Sequence, residues 1–195
     1  MKKHLIVLFI SLSTVVQAQI SCYVIGGTSN GIDLSASSQP GFNFGALIDM
    51  PFSKLWSFQT GLNYNNVALD SKWDVIRSIG GNQDAVFNEG SFSTFNFLEI
   101  PACISLKIKL SEKSNLRFNT GAFMGVFTGG IDLLRTSSGF ANYALYPSYA
   151  DPVNLGFLVG AGIDINKIYL GIEGNINATS YIPEGTIKTK LGIKL

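Results

Sequence analysis

Ser91-Phe92-Ser93-Thr94-Phe95-Asn96-Phe97-Leu98-Glu99-Ile100-Pro101-Ala102-Cys103-Ile104-Ser105-Leu106-Lys107-Ile108-Lys109-Leu110 is the stretch that decides the fold. Its even positions include Phe92, Leu98, Ile100, Ala102, Ile104, Leu106, Ile108 and Leu110, and its odd ones include Ser91, Ser93, Glu99, Ser105, Lys107 and Lys109. Successive strand residues point to opposite faces, so this period of two specifies a long β-strand with one apolar side.

The same alternation recurs on either side. Phe42, Phe44, Ala46, Ile48, Met50 and Phe52 alternate with Gly41, Asn43, Gly45, Leu47 and Asp49; Trp56, Phe58, Leu62 and Tyr64 alternate with Ser57, Gln59, Gly61, Asn63 and Asn65. Leu116, Phe118, Ala122, Met124 and Val126 oppose Asn115, Arg117, Asn119, Gly121 and Gly125, although Phe123 and Phe127 blur the second face. Val153 to Ile165, Ile168 to Ile176 and Ile187 to Leu195 repeat the pattern, with Asp164 and Glu173 on polar faces. A less regular strand from about Ile20 to Gly27 brings the count to eight. Bacterial single-chain membrane barrels have an even number of strands.

Connections support the count. Segments 53–55, 111–115 and 166–167 are short, whereas 28–40, 69–90, 129–152 and 180–186 are long, and the two kinds alternate as periplasmic turns and external loops do. If Asn166-Lys167 is a two-residue hairpin loop, Ile165 pairs with Ile168, Gly162 with Gly171 and Gly160 with Glu173. Apolar then meets apolar throughout, and a one-residue slip would reverse every pairing.

The chain begins Met1-Lys2-Lys3-His4, runs apolar from Leu5 to Val16 and reaches Val16-Gln17-Ala18, the pattern of a signal peptide (residues 1–18) cleaved after Ala18. Residues 19–195 then form one barrel domain. The charge count becomes 12 basic (14 − 2) against 13 acidic residues, too even for nucleic-acid binding. Beyond this segment no apolar run reaches eighteen residues, and only helices and closed barrels satisfy every backbone group in hydrocarbon. The expected fold is an all-β, eight-stranded antiparallel up-and-down transmembrane barrel in the cell outer membrane, monomeric and in contact with outer-membrane lipid. The alternative is a soluble exported barrel of lipocalin type, with the apolar face turned inward around a small hydrophobic ligand. Alternation alone does not say which face is in. The membrane is favoured because the polar face, rich in glycine and asparagine, would make a poorly charged soluble exterior.

At Phe97-Leu98-Glu99-Ile100-Pro101 and the run that follows, and again at Leu155-Gly156-Phe157-Leu158-Val159-Gly160-Ala161-Gly162, the sequence resembles the PorT-like outer-membrane β-barrel proteins of Bacteroidetes. The resemblance implies an eight-stranded outer-membrane barrel; some such proteins are linked to secretion and gliding. The final Leu195 departs from the aromatic residue these barrels usually carry there.

Candidate residues follow from the alternation. Glu99, Arg117, Glu173, Lys188, Lys190 and Lys194 fall on the polar face, which for eight strands means a lumen just wide enough for side chains. They are expected to form a satisfied structural network rather than an ion path. Trp73, Tyr143, Tyr146 and Tyr149 lie in long connections and are candidate contacts for a protein or glycan partner. The only histidine, His4, leaves with the signal peptide, which removes the commonest general base; no catalytic, cofactor or metal site is expected. Pro101, inside a strand, is expected to mark a β-bulge. A Cys22–Cys103 disulfide is disfavoured because the strand map places the two on non-neighbouring strands.

Overall fold

The computed structural model describes residues 20–33, 37–79, 83–136, 139–145, 153–179 and 184–195. The expected signal peptide lies outside them, as do Tyr146 and Tyr149. Among the described residues there are nine strands: β1 (Ser21–Ile32), β2 (Ser37–Pro51), β3 (Trp56–Ile79), β4 (Gln83–Lys109), β5 (Ser114–Thr136), β6 (Gly139–Leu145), β7 (Val153–Ile165), β8 (Ile168–Asn177) and β9 (Gly185–Lys194). All pairings are antiparallel. Eight strands close a ring, since β1 pairs with β9 and β4 with β5; β6 stands outside it, paired to the far end of β5.

The ring's stagger can be read from its ladder. From Met50 the pairs run Phe58, Ile104, Thr120, Val159, Gly174, Ile187 and Asn30, and return to β2 at Pro40, ten residues away (50 − 40). Ten residues of about 3.3 Å across eight strands about 4.8 Å apart correspond to a strand tilt of about 40°. At that tilt the ten residues of β8 rise about 25 Å, the height of a membrane barrel's apolar band.

The shortest hairpin forms as its residues dictate. Ile165 pairs with Ile168, Gly162 with Gly171 and Gly160 with Glu173, and Asn166 takes the left-handed conformation (φ 56°) that a two-residue turn requires and asparagine tolerates.

Two expectations are corrected. The expected loops 69–90 and 129–152 are largely strand: β3, β4 and β5 run on past the ring, and β6 joins them. The backbones of Trp73 and Tyr143 therefore lie in β3 and β6 rather than in loops. Ser71–Ile79 and Gln83–Glu89 alternate too weakly for the period to mark them, yet they pair as a ribbon. Pro101 also makes no bulge. Pairs on either side of it, Thr60 with Ala102 and Asn63 with Glu99, hold one register, and the β5 ladder passes unbroken through Pro101 and Phe123. Proline costs only its own donor here, and Thr60 Oγ1 donates to the Pro101 carbonyl at 2.8 Å. The irregularity in β4 lies instead at Asn96/Phe97, opposite Gly129, whose φ of 138° suits glycine alone.

Burial settles which face is inside. Arg117 and Lys188 are each 1% exposed, whereas Phe157 and Val159 are 67% and 61% exposed. The lipocalin-type arrangement is thereby overturned: the apolar side chains form the outer wall. In water such a wall would be a large unfavourable surface; in a bilayer acyl chains cover it.

Candidate functional site

Parity carries the charged residues of six strands into the lumen, where they sort into two groups. The first sits near the short turns. Asp49, three residues before the β2–β3 turn, accepts from Ser57 Oγ (2.6 Å) and pairs with Lys107, and Arg117 Nη1 lies 3.7 Å from it. Arg117 donates to Asp164 Oδ2 through Nε (3.2 Å) and Nη2 (2.7 Å), and Nη2 also donates to the Tyr23 hydroxyl at 2.9 Å. Its guanidinium lies against both rings of an edge-to-face tyrosine pair (centroids 6.2 Å apart), with Cζ 5.2 Å from the centroid of Tyr23 and 5.3 Å from that of Tyr169. A planar, permanently charged guanidinium suits this position because it combines forked donors with stacking faces.

The second group lies farther along the strands. Lys190 Nζ donates to Glu173 Oε2 at 2.5 Å, Lys188 pairs with Glu99, and Lys188 Nζ lies 3.9 Å from Glu173 Oε1. Asn65 Nδ2 donates to Glu99 Oε1 at 2.9 Å. With its amide set to match its neighbours, Asn175 accepts from Lys188 (2.8 Å) and donates to Glu173 (3.3 Å). Directly across the ladder Glu173 faces Lys188, while its tighter partner Lys190 is the diagonal neighbour, a choice made by side-chain reach.

Each group holds two carboxylates and two cations, Asp49 and Asp164 with Lys107 and Arg117, then Glu99 and Glu173 with Lys188 and Lys190. Each is neutral within itself, the condition under which buried charge persists. Glu99, Arg117, Glu173, Lys188 and Lys190 were thus legible as lumen residues. Asp49, Lys107, Asp164, Tyr23 and Tyr169 were not singled out, although strand parity puts each on the same inward face. Lys194 is half-buried at the rim and joins neither group.

Glycine makes room for this chemistry. A Cβ on Gly171 or Gly162 would stand 2.6 Å from Tyr169 ring carbons, so the ring lies over a glycine floor beside Arg117. Beyond the second group the lumen turns apolar, with Val67, Leu69, Phe97 and Phe127 buried. Val67 and Leu69 reach toward Gly31, where a Cβ would meet them at 2.8 and 2.7 Å. Phe123 and Phe127, which blurred the alternation of β5, point inward: Phe127 packs at a tilt against Phe97, with ring centroids 5.6 Å apart, and Phe123 packs with Cys103 and Leu158. Cys103 is buried, Cys22 is exposed, and both are free thiols. Among the described residues no three His, Cys, Asp or Glu side chains gather as metal ligands.

Comparison with known proteins agrees with this architecture. Residues 13–182 match the family described as outer membrane protein beta-barrel domain. Neisserial surface protein A (NspA) is 9% identical, with 90% of this chain and 96% of that one covered at a TM-score of 0.52. The attachment invasion locus protein Ail of Yersinia pestis is 12% identical over 91% and 99% of the chains, at 0.45. The outer membrane enzyme PagL is 11% identical over 89% and 98%, at 0.37. At such identities likeness concerns the fold alone, and no curated protein matches the sequence. With most of its length matched by the family's sequence pattern and its apolar wall facing outward, the chain belongs to the outer membrane protein beta-barrel domain family and resides in the outer membrane.

Proposed function

We propose that this is a non-enzymatic barrel whose lumen is closed by its own side chains, and that it acts as a structural or interaction protein through the strands and connections raised above the membrane. The observation that carries the reading is the double charge balance of the lumen. Each carboxylate and each cation of the two groups is engaged by an opposite charge, which leaves none poised as a general acid or base and none lining an open ion path. Eight strands at this stagger leave little room beyond those side chains.

In this reading residues 1–18 are removed on export, the short turns face the periplasm, and the extended β3–β6 region faces outward to meet a protein or glycan. The kinship with PorT-like barrels rests on the segments around Phe97–Pro101 and Leu155–Gly162. Purified protein should give no porin-sized steps in a planar bilayer and release no acyl chains from lipopolysaccharide; either activity would overturn the reading. A tag inserted at Gly81 should be reached by antibody on intact cells. Access only after the outer membrane is broken would invert the orientation.

A further inference from the structure

Lysines gather at the short-turn end of the barrel. Every short turn carries an exposed lysine: Lys54 between β2 and β3, Lys113 between β4 and β5, with Lys109 at its edge, and Lys167 between β7 and β8. Lys194, at the end of β9, adds a fifth at the same rim. None of the five has a carboxylate within ion-pair distance among the described residues. Outside the lumen groups, Glu112 is the one acidic side chain at that rim among the described residues.

The short-turn rim is thus basic, whereas the lumen behind it is neutral within each group. The rim lysines also adjoin the outer wall, since Leu55, Ile108, Leu110, Ile165, Ile168 and Leu195 beside them are exposed apolar side chains.

We propose that this lysine rim is a docking surface for the anionic headgroups of glycerophospholipids in the leaflet on the short-turn side. A lysine beside the apolar band lays its methylene stem along the hydrocarbon boundary and extends its ammonium to the phosphate plane. Continuity with the lipid-facing wall favours a headgroup over a periplasmic polymer, and the position of all five lysines at the short-turn rim confines the preference to one leaflet. The orientation proposed above decides only which leaflet this is.

Trp56 lies two residues from Lys54 on the outer wall and is 42% exposed, and the chain's other tryptophan is Trp73. In a Trp73→Phe background, Trp56 fluorescence therefore reports the lipid at this rim. In mixed vesicles of phosphatidylcholine and phosphatidylglycerol at low salt, brominated phosphatidylglycerol should quench Trp56 more strongly than brominated phosphatidylcholine, with a local enrichment of about five-fold for one lysine contact. Replacing the five lysines by glutamine should abolish the difference. So should 1 M salt on the unsubstituted rim, where the screening length falls to about 3 Å. Equal quenching by the two lipids, or a preference that survives the substitutions, would overturn the proposal. Lysine-dependent co-sedimentation with purified peptidoglycan sacculi, accompanied by equal quenching, would assign the rim to peptidoglycan instead.

Discussion

Glu173→Gln is the most informative single change in the lumen. Glu173 holds two lysines, but unequally: Lys190 has its ion pair there, whereas Lys188 keeps Glu99. Removing the charge leaves Lys190, which is nearly fully buried, without a carboxylate. Breaking a buried pair in this way costs about 3–5 kcal/mol, and retention of the Lys188–Glu99 pair sets the expectation near the lower value. With a urea slope of about 2 kcal/mol per molar, the unfolding midpoint should fall by about 1.5 M. Adding Lys190→Met makes the group neutral again around an intact Lys188–Glu99 pair, and most of the loss should return, a coupling of about 2 kcal/mol. Adding Lys188→Met instead should not rescue, because it leaves Glu99 and Lys190, which form no pair. The assay is urea unfolding in detergent micelles, followed by tryptophan fluorescence and by gel mobility before boiling. Strictly additive losses for Glu173→Gln and Lys190→Met, or equal rescue by either lysine substitution, would refute this account of the network.

Gly171→Ala should destabilise by about 1–3 kcal/mol, because its methyl group displaces the Tyr169 ring and with it one face of the Arg117 site. Gly174→Ala, where a Cβ meets nothing within 4 Å, should cost nothing by the same urea titration. Val159→Arg, midway along β7 on the outer wall, should cost about 2–4 kcal/mol and lower the yield of heat-modifiable protein on refolding into vesicles, while Leu110→Arg at the band's edge should cost about 1 kcal/mol or less. Alkylation of the folded protein in detergent should label Cys22 readily and Cys103 only after unfolding; equal rates at both would contradict the inward placement of Cys103.

Much of this protein was written in its period-two alternation. Phe92 to Leu110 fixed a strand and its two faces, Asn166-Lys167 fixed a register, and the order of short and long connections fixed antiparallel neighbours around an even ring. These are local properties, because side-chain direction and turn geometry depend on residues adjacent in the chain. Parity likewise put Glu99, Arg117, Glu173, Lys188 and Lys190 on one face. It could not say that the face is the lumen, since a strand presents the same alternation whether its apolar side is in or out; only closure of the ring, with Arg117 and Lys188 inside and Phe157 outside, decided that. Counting residues up from the ends of the last two strands sets Glu173 level with Lys190, and the structure pairs them, but the sequence could not choose partners on strands far apart in the chain. The ten-residue stagger brings Lys188 across to Glu99 and Arg117 against both Tyr23 and Tyr169, residues of strands far apart in the chain. It also could not foresee β6 or the ribbon beyond Asp70, where irregular segments become strands because a neighbour supplies the ladder. Pairing between distant segments follows from how the sheet closes, and closure is a property of the whole barrel.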